Sequence, residues 1–153
     1  MRLRSSRFLA AAVLVAAMSA ARADVSVDHP WVRGVVAGQS STGAFMTIRS
    51  TQATELVGVS SPDAASVSLH RMVMADSMMS MEPMDSLPIP ADGLVELKPG
   101  TYHLMLIGLK RSFKPGASVP LRLTFRGADR VETTVTVQAT VSDPAAAAPG
   151  TGM

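Results

Sequence analysis

Cysteine is absent from the 153-residue sequence, and this absence excludes several kinds of chemistry. No disulfide can hold the fold together, so a packed core must do so, and a chain of this length can bury one. No thiolate can bind a metal, which excludes a blue-copper electron-transfer centre because that centre requires a cysteine sulfur. No cysteine stands near the start of the chain to accept a lipid.

Clustered basic residues and aromatic residues are also scarce. The sequence has 14 lysines and arginines against 12 aspartates and glutamates, and 4% of its residues are aromatic. Four arginines precede residue 24, so the rest of the chain has 10 basic and 12 acidic residues and a formal charge of −2. A nucleic-acid-binding face needs clustered basic residues with aromatic stacking, and this pattern offers no support for one. The same argument counts against an anionic membrane surface as partner.

The apolar run over residues 8–18 is too short to span a membrane, which takes about 20 residues. Three of the first seven residues are arginine, and Ala21-Arg22-Ala23 follows the run. A basic start, a short apolar stretch and a small-residue A-x-A pattern are typical of a secretory signal peptide. We therefore predict a cleaved signal peptide over 1–23, export of the chain, and a mature protein that is soluble rather than membrane-spanning.

Short β-branched or alternating runs follow one another through the mature chain, separated by turn signals such as Lys98-Pro99-Gly100. Leu121 and Leu123 point to one side of their run and Arg122 to the other, as in a sheet with one wet face. These patterns predict an all-β fold, a Greek-key β-sandwich of about nine short strands. The predicted strands are 26–32, 43–48, 55–59, 65–74, 78–84, 93–97, 102–109, 119–125 and 131–137.

One domain is predicted over residues 24–140, followed by a tail over 141–153. The tail is rich in alanine, proline and glycine and has no periodicity to bury. Segments of this composition do not form a packed core, so we predict that the tail is disordered.

Methionine is concentrated in one stretch of the chain. Six of the nine methionines after residue 23 lie between residues 72 and 84. His70 precedes this stretch, and His103 and Met105 follow it. Thioether and imidazole are uncharged ligands that suit copper, and thioether favours Cu(I) over harder cations. Together with Met81, these residues point to a site for monovalent copper.

Strand geometry indicates how the four side chains could converge. Side chains at i and i+2 share a face, so His103 and Met105 point together. If Asp76-Ser77 forms a two-residue hairpin turn, residues whose numbers sum to 153 are paired, and His70 lies diagonal to Met81. The resulting methionine pairs are Met74 with Met79 and Met72 with Met81. Asp-Ser lacks the glycine favoured in such turns, so a longer loop is the alternative.

The spacing His70-x10-Met81-x21-His103-x-Met105 resembles the defining motif of the periplasmic copper chaperones called PCuAC, without gap or substitution. The flanking segments 31–33, 42–46, 57–62 and 95–106 are similar to that family as well. The resemblance covers residues 27–137, nearly the whole predicted domain. Two features depart from the family pattern. Arg71 stands where an acidic residue often follows the first histidine, and the tail lacks the His/Met-rich extension of some members.

This resemblance implies a cupredoxin-like sandwich that binds Cu(I) at an exposed site made by His70, Met81, His103 and Met105. It also implies delivery of the copper to an acceptor protein, with the CuA centre of a cytochrome c oxidase subunit, or an assembly factor of that oxidase, as destination. We expect a monomeric copper chaperone that is not an enzyme, since no nucleophile motif is present. A periplasmic buffer that sequesters copper is the alternative, because it would use the same site.

Several residues have alternative interpretations. Methionine commonly fills gaps in cores, and Met72 is left open between an extra ligand and a wall of the site. His29 is interpreted as structural or exposed, and Trp31 as a core or edge aromatic. Four further methionines are interpreted as hydrophobic shielding or transient stations: Met74, Met78, Met79 and Met84. Because histidine must be neutral to bind a metal, acidification is expected to weaken the site.

Overall fold

Ten β-strands and no helix make up residues 24–143, which are the residues that the computed structural model describes. The predicted all-β fold is confirmed. Among these residues there is no helix long and apolar enough to cross a membrane. The strands are β1 (Val25–Arg33), β2 (Ser41–Ser50), β3 (Thr54–Ser60), β4 (Ala64–Ala75), β5 (Met78–Met84), β6 (Leu87–Ile89), β7 (Gly93–Leu97), β8 (Tyr102–Leu109), β9 (Ser118–Gly127) and β10 (Glu132–Ser142).

The structure corrects the predicted strands in two places. β6, which has only three residues, was not predicted because it is too short to show an alternating pattern. β10 continues to Ser142, whereas the predicted strand ends at Val137. The reason is that Val141 is buried and pairs with Val32. The signal peptide predicted over 1–23 and the tail after 143 lie outside the described residues.

The strands form one continuous sheet that folds over a single apolar core. Their hydrogen-bonded order is β5-β4-β8-β2-β1-β10-β9-β3-β6, with β7 paired to β2. β1 joins the two halves, because it pairs antiparallel with β2 and parallel with β10. Side chains from both halves, including Ile48, Leu104, Leu121 and Leu123, are buried together. Burying one such side chain contributes about 1.5–3 kcal/mol, so this two-layered core can hold the fold without disulfides.

Because side chains alternate along each strand, the outer face of the β4-β8-β2 layer differs in composition from the face that packs into the core. Leu69 of β4 and Leu104 of β8 point into the core. Successive side chains of a strand point to opposite faces, so the adjacent residues His70 and His103 point outward. β2 follows the same rule and presents Phe45 on this side. The outer face of the layer, rather than the core, therefore positions the candidate ligands.

The turn between β4 and β5 is the two-residue turn predicted at Asp76-Ser77. Both residues have positive φ, 51° and 63°, as a type I′ turn requires. Met72 pairs with Met81 and Met74 with Met79, which confirms the predicted register. The alternative of a longer loop at this turn is therefore excluded. The methionines of β5 keep the predicted pairing with β4.

Replacing Ser77 with glycine is expected to raise the free energy of unfolding by about 0.5–1 kcal/mol. A non-glycine residue in the left-handed region costs roughly 1–2 kcal/mol, and the backbone entropy of glycine offsets about 0.5–1 kcal/mol of the gain. Urea denaturation measures the change. Ser80→Gly, inside β5, is the control and should lower stability, since glycine brings only its entropic cost there. Destabilisation by Ser77→Gly would contradict the turn assignment.

Candidate metal centre

His70 of β4 and His103 of β8 stand directly opposite each other on neighbouring strands. Their ring centroids are 5.5 Å apart and their planes are tilted by 35°. His103 is buried, with 7% of its surface exposed, whereas His70 is partly exposed. A metal ion bound by both rings would therefore have one buried and one partly exposed imidazole as ligands.

One ring nitrogen of His70 has a hydrogen-bond partner and the other has none. Nε2 lies 2.8 Å from the hydroxyl oxygen of Ser68, which precedes it on the same face. Nδ1 is buried and forms no hydrogen bond with any of the described residues. Buried polar atoms are nearly always paired, and a metal-bound histidine commonly fixes its second nitrogen with a hydrogen bond. If Nε2–H donates to Ser68, Nδ1 offers a free lone pair to a metal.

The two thioethers of the predicted set lie on either side of the histidine pair. Met81 of β5 is 50% exposed and pairs with Met72, which places it diagonal to His70. Met105 is partly buried and pairs with Ser68 on one side and Gly43 on the other. The structure thus brings the four predicted side chains to one face of three adjacent strands. Their role as ligands stays a prediction.

An aromatic pair lies beside the buried histidine. Phe45 of β2 stacks on Trp31 of β1 with centroids 4.5 Å apart, and its ring is 6.3 Å from that of His103. Both aromatic rings are buried, yet neither belongs to the apolar core cluster. Trp31, interpreted as a core or edge aromatic, is therefore buried but separate from the main core cluster. Gly43 leaves room for this arrangement, since a Cβ there would lie 3.0 Å from the Phe45 ring.

The electrostatic environment favours a neutral His103. Burial lowers the pKa of His103 below its ordinary value of 6.5, and the nearby charges of His70 and Arg33 lower it further. The Arg33 guanidinium carbon lies 5.6 Å from the centre of the Phe45 ring. Since a metal binds the neutral imidazole, this environment prepares His103 as a ligand at neutral pH.

The lowered pKa of His103 predicts how the metal-free protein responds to acid. Its free energy of unfolding should be steady above pH 6.5, the ordinary pKa of the unfolded ring, and should fall as the pH drops below that value. Unfolded His103 then binds a proton that the folded ring resists, so protonation favours the unfolded state. Urea denaturation from about pH 7.5 to about pH 5 measures this dependence. In His103→Asn the slope should be smaller, and an unchanged slope would contradict the assignment.

The described residues contain no cluster of histidine, cysteine and carboxylate side chains that could bind a metal. Within residues 24–143, no three histidine, cysteine, aspartate or glutamate side chains are placed to hold a metal ion together. The thioethers of Met81 and Met105 lie on the same face as the histidine pair and could serve as further ligands. Ligands of this kind suit a soft monovalent ion better than divalent cations that prefer carboxylate.

Three residues beside the site were not predicted from the sequence as part of it: Arg33, Phe45 and Ser68. Ser68 could have been found, because it shares the strand parity of His70. Arg71 forms an ion pair with Glu82 at 2.8 Å across the hairpin, so its charge is partly compensated. His29 is exposed and lies outside the site, in agreement with its interpretation.

Comparison with known proteins places this arrangement in a family. The profile of the family described as "Putative lipoprotein LpqE-like" matches residues 25–137. The chain belongs to this family. A curated relative, "Putative lipoprotein Lxx21020" of Leifsonia xyli subsp. xyli, is 34% identical over 104 residues, or 66% of this chain. The chain spans about three fifths of that relative, with 61% of it covered.

Solved structures share the fold and confirm the resemblance to PCuAC domains. The copper-bound PCuAC domain from PmoF2 has a TM-score of 0.62 at 24% identity, over 78% of this chain and 93% of that domain. Apo-DR1885 from Deinococcus radiodurans has a TM-score of 0.58 at 30% identity, over 94% of each chain. Its Cu(I) form has a TM-score of 0.52 at 34% identity, over 76% of each chain. The LpqE-like chain described here is thus a cupredoxin-like, PCuAC-type β-sandwich.

Proposed function

We propose that this chain is an exported Cu(I) chaperone whose ligands are His70, Met81, His103 and Met105. The observation that carries the proposal is the facing histidine pair, in which the buried Nδ1 of His70 has no partner and thioethers lie alongside. Imidazole and thioether are ligands that Cu(I) prefers. The Cu(I) form of DR1885, 34% identical to this chain, supports the choice of ion.

The unequal exposure of the ligands suits delivery by ligand exchange. Met81 is 50% exposed, so a ligand of the acceptor can replace its thioether while the buried His103 still holds the ion. Copper then passes without being released into solution. The exposed thioether of Met81 leaves first, and the buried imidazole of His103 leaves last.

The compartment and the acceptor are part of the same proposal. Export to the periplasm is supported by the predicted signal peptide and by the relative named a lipoprotein. The proposed acceptor is the CuA centre of cytochrome c oxidase or an assembly factor of that enzyme. We assign no enzymatic activity to the chain, which acts as a carrier of its cargo.

X-ray absorption at the copper K-edge tests the site directly. The mature protein, loaded with one equivalent of Cu(I) under anaerobic conditions, is expected to show a cuprous edge with nitrogen and sulfur in equal numbers. Replacing Met81 with leucine, a swap of similar volume, should lower the number of sulfur ligands while leaving the number of nitrogen ligands unchanged. A spectrum with nitrogen or oxygen ligands alone would overturn the assignment.

Transfer kinetics separate a chaperone from a copper buffer. Loaded protein and an equal amount of chelated Cu(I) are mixed separately with a purified apo CuA domain. A chaperone should load that domain faster than the chelator does at matched free Cu(I). Equal or slower loading, with tight retention of the ion, would support a buffering role instead.

A further inference from the structure

Methionines beyond the proposed ligand set continue along the same face of the β4-β5 hairpin. Met74 pairs with Met79 next to the turn, and Met72 pairs with Met81 one step closer to His70. Residues two apart share a face, so these side chains and the imidazole of His70 lie on one side of the hairpin. The thioethers thus form a row that leads from the hairpin tip to the histidine pair.

The backbone hydrogen bonds bring the paired side chains close together. The N–H of Met72 donates to the carbonyl oxygen of Thr101 at 2.8 Å, on the side away from β5. Met72 and Met81 are therefore a non-hydrogen-bonded pair, and by alternation Met74 and Met79 are another. Cβ atoms in such pairs are about 4.5–5.5 Å apart, near enough for two flexible methionine side chains to meet at one ion.

Packing does not explain the methionines next to the turn. Met74 is 66% exposed and Met79 is 48% exposed. Four of the eight large hydrophobic residues exposed in the described part of the chain are methionines of this hairpin. Neither Met74 nor Met79 packs against the core cluster. An exposed thioether row gains little from burial, whereas soft sulfur atoms at this spacing can bind a soft cation.

We propose that Met72, Met74 and Met79 form a second, weaker site for Cu(I) beside the histidine site. Three uncharged thioethers can surround a monovalent ion without a proton being lost or an electron transferred. The second site is weaker because it contains no imidazole and lies in solvent. Its use as a loading position, from which Cu(I) moves to His70 and His103, rests on the proposed chaperone function, whereas its existence does not.

Methyl NMR of methionine follows each thioether separately and tests the second site. The mature protein carries ¹³C at its methionine methyl groups and is titrated with Cu(I) alone under anaerobic conditions. The first equivalent should shift Met81 and Met105, and the second should shift Met74 and Met79. Met78 is the internal control, because it is 73% exposed at the same tip but pairs with Ala75 and so points to the opposite face. An equal response from Met78 would overturn the proposal.

Counting the bound copper ions in matched variants gives a second test of this site. Met74→Leu/Met79→Leu should weaken binding of the second ion at least about tenfold, the lower end of the cost of losing a group near a metal. Met78→Leu should leave both ions in place, and the first ion should be unaffected in either variant. Native mass spectrometry counts the ions. Retention of the second ion by the double variant would disprove the site.

A His70→Asn/His103→Asn variant separates this inference from the proposed function. Its Met74 and Met79 methyl groups should respond to the first equivalent of Cu(I), because the second site is then the stronger one left. Loss of that response would show that these methionines do not form a site of their own. If wild type shifts Met74 and Met79 but not Met81 and Met105, the proposed function fails and the second site stands.

Discussion

Replacing His103 with asparagine is expected to lower the affinity for Cu(I) at least about 100-fold, the upper end of what loss of an outer-shell partner costs. His103 is the buried member of the histidine pair, and its environment keeps the ring neutral. Asparagine fills part of the space but offers an amide, which is a poor ligand for a soft ion. Competition with a chromophoric Cu(I) chelator measures the affinity. His70→Asn should cause a loss of the same order.

The third histidine provides the matched control for this experiment. His29 is exposed and has a positive φ of 49°, a conformation that asparagine tolerates. His29→Asn removes an imidazole of the same protein by the same substitution and should leave Cu(I) affinity unchanged. Equal affinities in His103→Asn and wild type, with both proteins folded by circular dichroism, would exclude the histidine site.

Replacing Phe45 with alanine should destabilise the protein and expose the His103 ring to solvent. Truncating a buried phenylalanine costs about 3–5 kcal/mol, and we expect the lower end because Phe45 lies outside the main core. Burial is the largest cause of the lowered pKa of His103, so losing the ring should move that pKa up toward its ordinary value. Urea denaturation gives the first quantity, and an NMR titration of the imidazole protons gives the second.

Phe125→Ala distinguishes loss of the aromatic support from general loss of stability. Phe125 is a buried member of the core cluster and belongs to β9, which does not carry the site. Its truncation should cost at least as much free energy and leave the titration of His103 unchanged. An equal rise of that pKa in both variants would mean that Phe45 has no particular role beside the site.

The arrangement of the hairpin could be predicted from the sequence because it depends on local rules. Two turn residues fix which positions are paired, and a period of two fixes which face they share. Met81 is therefore placed relative to His70 once the turn at Asp76-Ser77 is identified. The facing of His70 and His103 could be expected only through the family resemblance, since β4 and β8 are not adjacent in sequence.

The position of Trp31 could not be predicted because a β-bulge intervenes. Val27 packs against the core, and strict alternation would place Trp31 on the same inner side. The register with β2 shifts between Asp28 and Trp31, where His29 has positive φ. A bulge inserts one extra residue and thereby reverses the parity of those that follow. Val32 consequently enters the core and Trp31 joins Phe45 outside it, which no periodicity in the sequence shows.

The parallel pairing of β1 with β10 means that the two ends of the domain must meet before the metal face is complete. Val32 pairs with Val141, and the residues on either side of each are paired as well. Contacts between residues so distant in sequence form late and slowly during folding. β1, the strand that carries Trp31, is thus held in place by β10, the last of the ten strands. The aromatic pair beside His103 therefore depends on a contact between the first and the last strand of the domain.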